Sequence, residues 1–112
     1  MDGLDTKFYA LADPTRRAIL ARLAKGEATV NQLAQPFHMT QPAISQHLKV
    51  LEAAGLIDQR VDGTRRPRRL AKAGIKTMDQ WLQMLRTALE KNYDRLDEVL
   101  ATIDKPRKGV RK

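Results

Sequence analysis

Apolar residues recur at helical spacing along most of the chain, interrupted by polar turn signals. Asp13 and Pro14 open one helix, with Asp as N-cap and proline at the first helical position; Ile19, Leu20 and Leu23 follow at helical spacing. Gly26 is its C-terminal stop. Thr29 caps a second, short helix through Val30, Leu33 and Ala34. Pro36 limits its length, because the residue before a proline is pushed out of the helical region. Phe37, His38 and Met39 read as a turn. Thr40 caps a third helix with Pro42 in its first turn. Ile44, Leu48 and Leu51 are its buried stripe at i, i+4 and i+7, and Gly55 ends it.

The period then changes. In "LIDQRVDGTRRPRRL" the Asp62-Gly63 pair is a two-residue hairpin signal, since a primed turn needs positive φ. Ile57–Val61 and Thr64–Leu70 are the expected strands. Pro67 cannot donate to a ladder, so its strand is an edge there. Gly63 and Gly74 both read as turns. From Gly74 onward Ile75, Met78, Leu82, Leu85, Leu89, Asn92, Leu96, Val99 and Ile103 alternate steps of three and four, a heptad-like seam that Trp81, Met84, Ala88 and Leu100 widen. Such a helix reaches about 40 Å, longer than a domain of this size is wide, so part of its apolar face needs a second molecule. Ile75 to Leu82 are expected to face inward. Leu85 to Ile103 are expected to lie across a two-fold, together with a first helix around Phe8, Tyr9 and Leu11. Pro106 stops the seam, and residues 104–112 read as a basic disordered tail.

Composition sharpens this picture. The 112 residues suffice for one domain, placed at 1–103. Aromatics are 4% and hydrophobics 42%, which suits a helical core of Leu, Ile, Ala and Val. No secretory signal or run of eighteen apolar residues is present, so no membrane partner is expected. Cysteine is absent, which removes disulfides, thiolate nucleophiles and cysteine metal sites and fits a cytoplasmic setting. The net charge is +8, with 21 Lys and Arg against 13 Asp and Glu. The excess is local. Arg60, Arg65, Arg66, Arg68, Arg69, Lys72 and Lys76 fall in one stretch and five more bases fill the tail, which is the distribution of a nucleic-acid footprint.

Two short helices with a tight turn, the second polar outside, form a helix-turn-helix. Its second helix can present its N-terminal half to base edges in a major groove. Thr40 caps that half, which carries Gln41, Pro42, Ser45 and Gln46. Gln suits a bidentate contact with adenine, Ser donates or accepts, and proline can touch a thymine methyl. Lys49 lies further along, placed for phosphates; His47 reads equally as a phosphate contact or a structural support. A solvated helix face is the bland alternative for the glutamines, but cap, turn and basic hairpin in succession favour DNA. Arg60, Arg65, Arg66, Arg68 and Arg69 would then belong to a wing that touches the DNA backbone or minor groove. No catalytic constellation appears, His38 and His47 lack acids at ligand spacing, and neither a metal nor a cofactor is expected.

The blocks "ADPTRRAILARL" (Ala12–Leu23) and "LAQPFHMTQPAISQHLKVLEAAGLI" (Leu33–Ile57), with the Asp62-Gly63 wing, resemble the ArsR-type winged helix-turn-helix repressors, over residues 5 to 103. The S-x-H-L-x-x-L run followed by A-G-L is the most specific match. The resemblance implies a mainly α fold with a small β-hairpin wing, a homodimer, a palindromic operator on double-stranded DNA and repression. For that homodimer, the seam and the first helix give an expected interface at Phe8, Tyr9, Leu11, Leu85, Leu89, Asn92, Leu96, Val99 and Ile103. The family's sensing cysteine pair is missing from "EATVNQLA", and the C-terminal helix has no histidine for the second metal site, so the chain is similar to a subgroup without metal sensing. No effector is identified. The alternatives are an architectural DNA binder, or an interaction module built on the long helix.

Overall fold

The computed structural model describes the backbone of residues 3–103 and the side chains as far as residue 92. In chain order the elements are α1 (Leu4–Leu11), α2 (Pro14–Leu23), α3 (Val30–Phe37), α4 (Gln41–Ala53), β1 (Ile57–Gln59), β2 (Arg68–Leu70) and α5 (Lys72–Ile103). This is the expected mainly α fold with a small hairpin. It forms two compact units that divide after Met78.

Local chemistry sets most of the helix boundaries. The Asp13 carboxylate accepts from the N–H groups of Thr15 (2.7 Å) and Arg16 (3.1 Å), and Pro14 follows at the first helical position. Thr29 and Gln32 form a reciprocal capping box on α3. Thr40 Oγ1 accepts from the Ala43 N–H at 3.2 Å. Phe37 belongs to α3 rather than to the turn. Pro36 lies in the last helical turn, where its missing N–H removes a single intrahelical bond close to the terminus. The turn proper begins at His38, which closes α3 in the left-handed region with φ 55°.

The core lies in the first unit. Ile19, Leu33, Ile44, Leu48, Leu51 and Leu56 are fully buried, joined by Leu23, Ile57, Met78 and small alanines. The stripe Ile44, Leu48 and Leu51 therefore fills the centre of the domain, each side chain contributing about 1.5–3 kcal/mol on burial.

Three expectations change. The strands are shorter than the apolar pattern suggests. Register pairs Ile57 with Leu70, Asp58 with Arg69 and Gln59 with Arg68. At the next pair the Arg60 N–H donates to the Pro67 carbonyl (2.9 Å), but proline has no hydrogen to return, and the regular ladder stops. The hairpin tip is also one residue further on: Asp62 and Arg65 close it with mutual backbone bonds of 3.1 and 2.9 Å, so Gly63 and Thr64 are the central residues. Positive φ is needed at Gly63 alone (63°), the pattern of a turn with glycine at its first central position. The second change is at Gly74. It is not a turn but a helical residue pressed on the α4–β1 connection, where an added Cβ would lie 1.8 Å from the Gly55 carbonyl oxygen. The third follows from it. The face of α5 carrying Gly74 and Met78 is the one laid inward, so Met78 is buried while Ile75 remains 39% exposed.

In the second unit α5 continues as helix. Arg86 bonds Gln83 at 2.7 Å and lies 3.7 Å from Asp79. Leu82, Met84, Leu85, Leu89 and Asn92 are exposed. The side chains of Leu96, Val99 and Ile103, and the whole of 104–112, lie outside the described residues. Among the described residues no helix is long and apolar enough to cross a membrane.

Candidate nucleic-acid interface

Burying one stripe of α4 forces its opposite face outward. Gln41, Pro42, Gln46 and Lys49 are exposed, as is Thr40 at the cap; Ser45 and His47 are half-buried. Gln41 is not a free side chain. Its Nε2 donates to Asn31 Oδ1 on α3 at 3.0 Å, which leaves the Gln41 carbonyl and one N–H for another partner.

His47 sits against the rest of the domain. Its Nδ1 is 3.4 Å from Arg16 Nη1. A guanidinium only donates, so Nδ1 can take part in this contact only as the acceptor. Arg16 is itself buried. Its Nε donates to the Ala10 carbonyl at 2.8 Å, its Nη2 to that of Tyr9 at 3.1 Å, and its guanidinium lies 5.2 Å from the centre of the Tyr9 ring. Arg16 thus joins the Tyr9 and Ala10 carbonyls near the end of α1 to His47 of α4 with one cation, while Arg17 Nη1 takes the Leu11 carbonyl at 2.7 Å.

The wing arginines divide into two groups. Arg60 forms a bidentate pair with Glu27, at 2.8 and 2.7 Å, which ties the residue after β1 to the α2–α3 connection. The Arg60 guanidinium holds the Glu27 carboxyl below the ordinary carboxylate range, against a smaller opposing effect of burial. Arg69 bonds its cross-strand neighbour Asp58 at 2.8 Å. Arg68 Nε bonds Glu52 of α4 at 2.8 Å, and its side chain is only 15% exposed. Its backbone also pairs in both directions with Ala28, so β2 has a neighbour on each side. At the tip, Arg66 Nη1 bonds the carbonyls of Gly63 (2.7 Å) and Arg65 (2.8 Å) and stays exposed. Arg65 is exposed, and among the described residues it enters no ion pair within 4.0 Å.

Residue patterns along the chain did not pick out Glu27, Glu52, Asn31, Arg16 or Ala28. Each acts through a partner on another element, so no pattern along the chain could single it out. No group of three or more His, Cys, Asp or Glu side chains able to hold a metal occurs among the described residues.

A profile described as "Bacterial regulatory protein, arsR family" matches residues 13–59. The HTH-type transcriptional regulator Rv2034 of Mycobacterium tuberculosis is 45% identical over 91 residues, covering 81% of this chain and 78% of that protein. The transcriptional repressor SdpR of Bacillus subtilis is 38% identical over 60 residues, 54% of this chain and 67% of that protein. Among solved structures, the homodimeric winged helix-turn-helix DNA-binding domain of Mb0332 from Mycobacterium bovis superposes with a TM-score of 0.63 at 30% identity, covering 77% of this chain and 80% of that one. With α3 and α4 as the helix-turn-helix and β1–β2 as the wing, this chain belongs to the ArsR family of helix-turn-helix transcriptional regulators.

Proposed function

We propose that the protein is a cytoplasmic homodimeric repressor that reads a palindromic operator with one α4 helix per half-site. The observation that carries this is the division of α4: its inner stripe is fully buried, while Gln41, Pro42 and Gln46 stand exposed on its N-terminal half, followed by a basic hairpin. Gln41 and Gln46 read base edges, Ser45 and Pro42 complement them, and Thr40 and Lys49 lie toward phosphates. His47, whose Nδ1 lies against Arg16, has its Nε2 left for the DNA backbone. Of the wing arginines, Arg65 and Arg66 touch DNA, while Arg60, Arg68 and Arg69 hold the wing in shape. The exposed Phe8, Tyr9, Leu85 and Leu89 lie in the dimer interface, with Leu11, Asn92, Leu96, Val99 and Ile103. A two-fold is what two helices about 34 Å apart need to enter successive major grooves on one face of DNA. A dimer so bound blocks polymerase at the promoter it covers. Neither a metal nor a cofactor takes part.

The test is fluorescence anisotropy of the protein against a duplex chosen from a random-sequence library and against its scramble, each at two salt concentrations. A preference of roughly a thousandfold with a steep salt slope is expected. Equal affinity for both duplexes indicates an architectural binder, and no binding at low salt removes the DNA reading.

A further inference from the structure

Glu52 is an acid on the very helix assigned to DNA, with no role yet in reading it. Electrostatics alone makes it a fault, because a carboxylate facing a polyanion weakens binding. Its surroundings suggest otherwise. One oxygen, Oε2, accepts from Gln59 Nε2 of β1 at 3.0 Å and from Arg68 Nε of β2 at 2.8 Å. A single atom of α4 therefore fastens both strands of the wing. The linkage continues outward: Arg68 Nη1 donates to the Arg66 carbonyl at 2.7 Å, and Arg66 closes on the Gly63 and Arg65 carbonyls at the tip. The pair is mostly shielded, with side-chain exposures of 15% for Arg68 and 25% for Glu52, so water screens it less than a surface bridge. The regular ladder cannot supply this rigidity, because it spans three residue pairs and is broken at Pro67.

We infer that Glu52 is a positioning residue that locks the wing tip in a fixed phase relative to α4, so that Arg65 and Arg66 reach the DNA backbone only when α4 is seated on the matching bases. This rests on the proposed reading of α4 and the wing as the DNA interface. Its consequence is selectivity. A locked wing adds its contacts to the correct register, whereas a loose wing adds them to any sequence.

The two accounts of Glu52 predict opposite results. Affinities of the wild type, Glu52→Ala and Glu52→Gln are measured for the library-selected duplex and for its scramble. The positioning role predicts that Glu52→Ala lowers the ratio of selected to scrambled affinity by roughly tenfold or more, with scrambled binding unchanged or tighter as Arg68 is released. Glu52→Gln retains an acceptor oxygen without the charge and falls between. If Glu52→Ala tightens binding to both duplexes alike, Glu52 is only an unfavourable charge and the inference is overturned. If binding to both falls together, in proportion to a drop in folded fraction seen by circular dichroism, the role is merely structural and the inference is again overturned. Arg65→Ala supplies a second readout. Its cost on the selected duplex should shrink at least threefold in the Glu52→Ala background, and additive effects would count against the lock. A wild type that prefers no duplex removes the reading of the interface itself, and this inference with it; a selective wild type with an unchanged ratio in Glu52→Ala removes the inference alone.

Discussion

Gln41 and Arg65 stand for two kinds of residue on this surface, and they should fail in different ways. Gln41→Ala with Gln46→Ala removes base-edge contacts while sparing cations. Each loss is expected to cost about 1–3 kcal/mol on the selected duplex and nearly nothing on a scramble, as anisotropy would show. Arg65→Ala should weaken the selected duplex far more than the scramble and, unlike the glutamine changes, reduce the salt slope on the selected duplex by about one. A residue-scale pH dependence follows from Asp13. Its carboxyl lies below the ordinary range, first because the Arg16 N–H bonds it, with the Thr15 N–H assisting and burial opposing. A depressed folded value means the cap stabilises fully above the unfolded carboxylate value and is lost as pH falls through the folded one. Thermal melts should thus be flat toward neutrality and fall in the acid range. Asp13→Asn, which still caps but does not titrate there, should show a shallower acid decline, and an unchanged one would refute the assignment.

At the scale of elements, close backbone approach governs the joint between the α4–β1 connection and α5. Gly74 is helical, where glycine costs roughly 0.5–1 kcal/mol relative to alanine, and an isolated helix would gain from Gly74→Ala. Here the added methyl meets the Gly55 carbonyl at 1.8 Å. The neighbour is backbone and has little room to give. Gly74→Ala is therefore expected to destabilise by about 1–3 kcal/mol or more, read as a lower midpoint in urea. The wing shows a related logic. Its ladder is short because Pro67 stops it, and side-chain pairs to Glu27, Glu52 and Asp58 supply what the backbone does not.

For the whole molecule, the unburied side chains are as informative as the core. Leu85 and Leu89 are 44% and 48% exposed on α5, and Phe8 is 38% exposed on α1. Apolar surface of this kind is stabilised when a second copy covers it. Leu85→Glu combined with Leu89→Glu should convert a dimer to a monomer in sedimentation velocity. Affinity for a full palindrome should then collapse toward that for a half-site. A dimer that survives both changes would place the interface elsewhere.

What the sequence determined by itself is the set of features made within a few residues. The caps at Asp13, Thr29 and Thr40, the stripe of Ile44, Leu48 and Leu51, and the glycine at the wing tip all follow from local hydrogen bonding or from periodicity. The Gln41–Gln46 face was legible for the same reason, since burying one side of a helix exposes the other. The tertiary structure decided which charges remain free. Arg60 and Arg68 look like Arg65 in sequence, yet partners 33 and 16 residues away hold them. Arg16 and His47, 31 residues apart, meet only because α1, α2 and α4 pack together. Gly74 looked like a turn because composition records the lack of a side chain and not the neighbour that requires it. Periodicity carries information about which face of an element is buried; pairing between distant elements depends on how they fold onto one another, and that is where the wing acquired its fixed and free arginines.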